Sequence, residues 1–222
     1  ELLAHSYDYN SYVYADSSQF QITKYVNTSY TNDWTYLPDV PAEEYGGTYQ
    51  YKISVRNGNS TASHIQVMDV LETGANAEWQ GTFQSVDLSE CEKLGLTGVV
   101  YYSSSSEPGD LYDADGNLSS NWSDMQPDVV KAIAVDFGDS VLAAGRELSV
   151  VINMTAPSDN LLRNKITENG SLVSLIMSDL STGNETKHDM LESNFVQVKL
   201  TPPLRSVIAT KVDDVSGVVL SD

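Results

Sequence analysis

Three side chains of this sequence could carry out one reaction together: Lys24 supplies an amine, Asp69 a carboxyl and Asn194 a carboxamide. In water they are inert toward one another, because the amine is protonated and an amide is a poor electrophile. Burial changes both facts, since it disfavours the charged form of each group: the amine becomes a neutral nucleophile and the acid can hold a proton. A protonated Asp69 would polarise the Asn194 side-chain carbonyl, the amine would attack it, and ammonia would leave behind a Lys–Asn isopeptide bond. The alternative reading of the same residues is a buried salt bridge between Lys24 and Asp69 with an amide beside it. Either reading requires all three side chains to point into a core.

The strands that would aim them are written in period two, the alternation that sends successive side chains to opposite faces of a sheet. In Phe20 to Val26 the residues Phe20, Ile22, Lys24 and Val26 share one face. In His64 to Leu71 the residues Ile65, Val67, Asp69 and Leu71 lie together, opposite a mixed set. In Ser193 to Leu200 the face of Asn194, Val196, Val198 and Leu200 is apolar but for its first member. Lys52, by contrast, alternates against Tyr49, Tyr51, Ile53 and Val55 and is expected to face water. A lone buried charge costs several kcal/mol, so an inward Lys, Asp and Asn in one sandwich are expected to meet.

Alternating runs bounded by Gly, Asn, Asp, Pro and Ser recur along the whole chain. Further strands are expected at Thr48 to Arg56, Gly98 to Ser103, Val129 to Phe137, Glu147 to Thr155 and Ser171 to Ser178. The turn sequence Arg56-Asn57-Gly58-Asn59-Ser60 predicts a hairpin between the strands on either side of it. One short helix is expected at Leu88 to Leu94, with Ser89 as its cap and Gly95 as its stop. The fold class read from this pattern is all-β, a two-sheet Ig-like sandwich with long loops. Thr201-Pro202-Pro203 ends it, because two prolines remove two ladder donors. The expected organisation is therefore 1–18 as the tail of a preceding module or an edge strand, 19–203 as the sandwich, and 204–222 as a linker and the first strand of a following module.

Composition narrows the partners. The chain carries 31 acidic against 12 basic residues, a formal charge of -19, with 41% apolar residues, so it is a folding chain whose field opposes nucleic acid and anionic lipid. The single Cys91 cannot form an internal disulfide, and no Cys/His spacing of a metal site is present. No apolar run is long enough to span a bilayer. No cofactor or metal is expected.

The runs Gly46-Gly47-Thr48-Tyr49-Gln50-Tyr51-Lys52-Ile53-Ser54-Val55-Arg56-Asn57-Gly58, Ile65-Gln66-Val67-Met68-Asp69-Val70-Leu71 and Ser193-Asn194-Phe195-Val196-Gln197-Val198 resemble the modular adhesin and pilin domains of Gram-positive bacteria, of the collagen-adhesin type. The resemblance implies a Lys in an early strand, an acid in a middle strand and an Asn in the last, an order that Lys24, Asp69 and Asn194 follow. It implies a non-enzymatic stalk or adhesion module on an extracellular, cell-wall-attached surface, with adjacent modules of the same chain as partners. The tail Ala209-Thr210-Lys211-Val212-Asp213 with Ser216-Gly217 and Leu220 resembles the opening of a B-type repeat, in which Lys211 would hold the crosslinking position. The runner-up is a module that binds a host glycan or extracellular-matrix protein through Thr73 to Pro127, the long, loop-rich stretch that departs from the compact repeat.

Other motifs have plainer readings. Asp113-Ala114-Asp115-Gly116-Asn117 begins like a calcium loop, but position 124 is Asp124 where a bidentate Glu is needed, so a turn is expected. His5, His64 and His188 are scattered without a nucleophile motif. The sequons at Asn27, Asn59, Asn117, Asn121, Asn153, Asn169 and Asn184 are read as coincidences of an Asn-, Ser- and Thr-rich bacterial chain. Trp34, Trp79 and Trp122 could line a glycan groove, though a core position is commoner for tryptophan.

Overall fold

The computed structural model describes residues 20–31 and 33–203. The expected tail 1–18, His5, and the expected opening strand around Lys211 lie outside the described residues.

In chain order the elements are β1 (Phe20–Thr28), β2 (Ala42–Glu44), β3 (Thr48–Asn57), β4 (Thr61–Val70), β5 (Thr82–Asp87), α1 (Ser89–Lys93), β6 (Val99–Ser103), β7 (Ala132–Asp136), β8 (Glu147–Thr155), β9 (Ile166–Asn169), β10 (Leu172–Ser178), β11 (Glu185–Glu192) and β12 (Val196–Thr201). The protein is an all-β sandwich. One sheet has the order β1-β3-β8-β5, the other β11-β10-β4-β7-β6, and a smaller sheet β2-β12-β9 completes the structure. The alternation in the sequence explains the pairing of β3 with β8. Tyr49, Tyr51, Ile53 and Val55 are buried on one strand and Leu148, Val150, Ile152 and Met154 on the other, in a register that sets Tyr51 opposite Ile152 and Ile53 opposite Val150. Burial of each such side chain stabilises the fold by about 1.5–3 kcal/mol. A one-residue slip would turn the whole set outward.

The expected hairpin at Asn57–Ser60 is not formed: β3 and β4 belong to different sheets, and the segment is a corner that carries the chain from one layer to the other. The reason lies in Asn57, which is buried and donates its side-chain amide to the carbonyls of Ser60 and Leu142 rather than standing at an exposed two-residue turn. Ala62 then pairs with Leu142 in both directions, at 3.0 and 2.8 Å, which starts β4 in the second sheet. The helix is where it is expected, but Ser89 does not cap it. Leu88 occupies the cap position, and Asp87 accepts the Ser89 amide at 2.8 Å in its place. Gly95 does end it, at a φ of +76° that glycine adopts without strain, with its amide on the Glu92 carbonyl at 2.9 Å.

The stretch Thr73 to Pro127 holds more structure than its loop-rich sequence suggests. Besides β5, α1 and β6, its long loop after β6 folds onto the outer face of the second sheet. There Leu111 and Trp122 pack on Met68, Ala132 and Ala134 as a second apolar cluster. Both faces of β4 are consequently covered at Met68 and Val70, while His64 on the same outer face stays exposed, which accounts for the mixed outward set in its sequence. Trp79 and Trp122 are each only 4% exposed and are core residues. Trp34 is half-buried on the outside of the first sheet, where the Lys52 ammonium lies between the rings of Tyr25 and Trp34 at 4.5 and 4.8 Å. Lys52 is thus on the outer face, as expected, but roofed by aromatic rings rather than immersed in water.

Candidate functional site

Lys24 is the central residue of β1, paired with Ile53 of β3, and its side chain runs into the core with no exposure to solvent. Asp69, on β4 of the opposite sheet, is likewise fully buried. The two form an ion pair across the sandwich. The remaining donors of the Lys24 amine go to the Ser171 hydroxyl at 2.9 Å and the Gly170 carbonyl at 3.3 Å, and the Tyr51 ring centroid lies 4.7 Å away. Ser171 in turn donates to Asp69 at 2.9 Å, on the same oxygen that receives the amine. Burial lowers the Lys24 pKa below its ordinary value; Asp69 and, more weakly, Glu72 oppose the shift. The amine is therefore both anchored and easier to deprotonate than an exposed lysine.

The other oxygen of Asp69 accepts a hydrogen bond from the Asn169 side-chain amide at 3.0 Å. Asn169 is the last residue of β9 and is fully buried, and its side-chain carbonyl accepts the Glu72 main-chain amide at 3.3 Å. Asn169, Gly170 and Ser171 form the corner between β9 and β10, where the chain passes from the small sheet into the second large one. That corner, not a regular strand, supplies three of the groups around Lys24 and Asp69.

Asn194 stands elsewhere around the same lysine. Its side-chain carbonyl accepts the Lys24 main-chain amide at 2.8 Å, and its side-chain amide donates to the Lys24 main-chain carbonyl at 3.0 Å and to that of Phe195 at 3.1 Å. It acts as a ladder partner for the edge of β1 that faces away from β3, two residues before β12 begins. Ser193, next to it, bonds the β9–β10 corner through both its main chain and its hydroxyl: its amide reaches the Ser171 carbonyl at 2.9 Å, and its hydroxyl accepts the Ser171 amide at 3.0 Å. All three sequence-predicted residues thus gather at Lys24, with Asp69 on its amine and Asn194 on its backbone.

Sequence reasoning missed a second buried acid. Glu72, just beyond β4, is 1% exposed and accepts the hydroxyls of Tyr49 and Tyr51 and the Gly81 amide. Burial raises its pKa against the pull of those donors, and burial also pushes both tyrosines well above their ordinary value. Gly81 is required there, since a Cβ would sit 2.1 Å from the Tyr49 hydroxyl. Glu72 has a φ of +54°, unusual for a residue with a side chain, which turns its amide toward Asn169 while its carboxylate enters the tyrosine pair. A glutamate directly after Val70 and Leu71, at the end of a strand whose inward face is apolar but for Asp69, was the available signal for it.

The remaining candidates have simpler surroundings. Asp113 accepts the main-chain amides of Asp115 at 3.0 Å and Asn117 at 2.8 Å, so the calcium-like sequence is an Asx-type turn whose first carboxylate is already engaged. Melting curves with millimolar calcium and with chelator are expected to superimpose; a rise of several degrees with calcium would show a site, because a ligand of the native state must stabilise it. Among the described residues no group of three or more His, Cys, Asp or Glu is placed to hold a metal ion. Cys91 is buried, and its thiol pKa is pushed up to about 11 by desolvation. Among the described residues no helix is long and apolar enough to cross a membrane.

No protein-family model matches the sequence, and no curated protein matches it. Among solved structures, two domains of the major pilin SpaD from Corynebacterium diphtheriae align with 80% of this chain and 51% of theirs, at 14% identity and a TM-score of 0.37. The major pilin subunit BcpA of Bacillus cereus aligns over 82% of this chain and 41% of its own, at 12% identity and a TM-score of 0.39. The C-terminal domain of the AgI/II polypeptide BspA from Streptococcus agalactiae aligns over 81% and 49%, at 8% identity and a TM-score of 0.39. This chain spans about half or less of the length of each.

Proposed function

We propose that residues 19–203 form a structural module of an extracellular, cell-wall-attached surface protein, non-enzymatic, with adjacent modules of the same chain as its mechanical partners. Its stability rests on a covalent tie between the Lys24 amine and an asparagine side chain, made once by the module itself with Asp69 as the acid. The observation that carries this reading is the fully buried Lys24–Asp69 pair, in which one carboxylate holds an amine on one oxygen and a carboxamide on the other. An amide exchange needs an amine, an acid and an amide in one dry site, and all three are there. The Gram-positive adhesin and pilin resemblance of the sequence supports the same reading.

Intact mass of the purified protein tests it. The expected value is the sequence mass less one ammonia. A mass equal to that of the sequence would leave Lys24 as an ion-paired core residue and remove the covalent part of the proposal.

A further inference from the structure

Two asparagines stand at Lys24, and the sequence singles out Asn194. From the geometry we infer that the amide that reacts is that of Asn169, and that Asn194 is a positioning residue for Lys24; this rests on the crosslink proposed above. In a strand the main-chain donors and acceptors lie in the plane of the sheet and the side chain stands roughly perpendicular to it. Asn194 is bonded to the amide and carbonyl of Lys24, so its carboxamide lies in the plane of β1, off its edge. The Lys24 amine lies across the core, on Asp69, Ser171 and Gly170. Asn169 is at that end: its amide is on the same carboxylate as the amine, and it adjoins Gly170 and Ser171 in the chain.

Both polar side-chain atoms of Asn169 also have the neighbours the reaction needs. Asp69 takes one proton from the Lys24 ammonium, leaving a neutral amine, which attacks the side-chain carbon of Asn169. The carbonyl oxygen becomes an oxyanion, and the Glu72 main-chain amide, 3.3 Å from that oxygen, donates to it. Asp69 passes its proton to the Asn169 side-chain nitrogen, which it contacts at 3.0 Å, and recovers one from the attacking nitrogen. The carbon–nitrogen bond of the original amide breaks and ammonia departs. A secondary amide joins Lys24 to Asn169, and Asp69 is again protonated, as it was when the amine attacked. Asn194 has no acid among its hydrogen-bond partners to supply that proton, since both of its polar atoms are engaged with main chain.

A tryptic digest of the wild-type protein distinguishes the two acceptors without any variant. Acylated Lys24 resists cleavage, so the amine-bearing peptide is 1–52; Asn169 lies in peptide 166–187 and Asn194 in peptide 188–199. Tandem mass spectrometry is expected to find 1–52 joined to 166–187. Intact masses of two variants supply the second readout: Asn194→Ala is expected to lose ammonia still, more slowly, and Asn169→Ala to keep its full mass. A branch between 1–52 and 188–199, or ammonia loss that survives in Asn169→Ala and vanishes in Asn194→Ala, would overturn this assignment while leaving the crosslink itself standing. An uncrosslinked wild-type protein would overturn both.

Discussion

Asp69→Ala is expected to keep the full sequence mass and to unfold at a denaturant concentration far below that of the wild type, with two separable losses. The first is the crosslink, since neither reactant is removed but the proton carrier is. By the reasoning that gives a disulfide over a loop of about 100 residues some 4–5 kcal/mol, a bond from Lys24 to a strand this distant restricts the unfolded chain by a similar amount. The second loss is electrostatic. In the variant the unreacted Lys24 amine stays in the core without its carboxylate, with only the Ser171 hydroxyl and the Gly170 carbonyl as acceptors, and such an unpaired buried group costs about 3–5 kcal/mol. The double variant Lys24→Met with Asp69→Ala lacks the crosslink but carries no unpaired charge, so it should fall between the two. Asp69→Ala should also differ from the wild type in its pH dependence. Burial already lowers the Lys24 pKa with Asp69 opposing the shift, and without Asp69 it falls further. Above that folded-state pKa and below the unfolded value of 10.5, the unfolded chain binds one proton more than the native one, so stability rises with pH, by up to about 1.4 kcal/mol per unit. In the crosslinked wild type the nitrogen is an amide and contributes no such slope. Chemical denaturation of the three proteins between pH 7 and 9 reads both effects. A wild type and an Asp69→Ala variant each at its own full sequence mass, and equal in stability, would sink the argument.

How much of this site could be read in advance depended on where period two holds. It holds inside long, half-buried strands, and there the reading was sound. Lys24 lies in the middle of β1 and Asp69 in the second half of β4, and each faces the core as the alternation requires. It does not hold at strand ends. Asn194 shares a parity with Val196 and Val198, but β12 begins only at Val196, so the alternation does not reach it and its side chain turns to the edge of β1 instead. Asn169 was hidden for the opposite reason. It ends a four-residue strand, Ile166–Asn169, whose last three residues Thr167, Glu168 and Asn169 are polar and buried, a pattern no hydrophobic periodicity can reveal. Each is satisfied by a partner far away in sequence: Thr167 by the Trp79 carbonyl at 2.7 Å, Glu168 by Asn76 at 2.9 Å and Asn169 by Asp69 at 3.0 Å. The strand β11 was missed because it is mostly exposed and carries no apolar face. The division of strands between sheets was also out of reach at Asn57-Gly58, since the local sequence favours a turn but only the partners of Asn57 decide that the turn is a corner.

Pulled by its two ends, the wild-type protein is expected to lengthen far less than its described fold allows, and the missing length identifies the acceptor. Force applied at the N-terminus reaches Lys24 in β1; a covalent bond there hands it to the acceptor without straining the chain between. With Asn169 as acceptor the shielded segment is roughly 145 residues, which at about 3.4 Å per residue is on the order of 500 Å of contour that cannot be released. Only the chain from Gly170 to the end of β12 is left to unravel, a gain on the order of 100 Å. Asp69→Ala, with no bond, should release on the order of 600 Å. A bond to Asn194 instead would leave so few residues outside the loop that the gain would be roughly 30 Å. Single-molecule extension therefore separates three cases that differ several-fold in length, with no need to compare stabilities. The short release expected here has its own resistance, because Asn194 bonds both main-chain groups of Lys24 and Ser193 bonds the Ser171 corner, so β12 must leave β2 and β9, and Asn194 must leave β1, before β10 and β11 can follow. Asn194→Ala is accordingly expected to lower the force of that release and leave its length unchanged. A full-length release in the wild type would mean that Lys24 carries no covalent partner, and the module would then resist load by its hydrogen bonds alone.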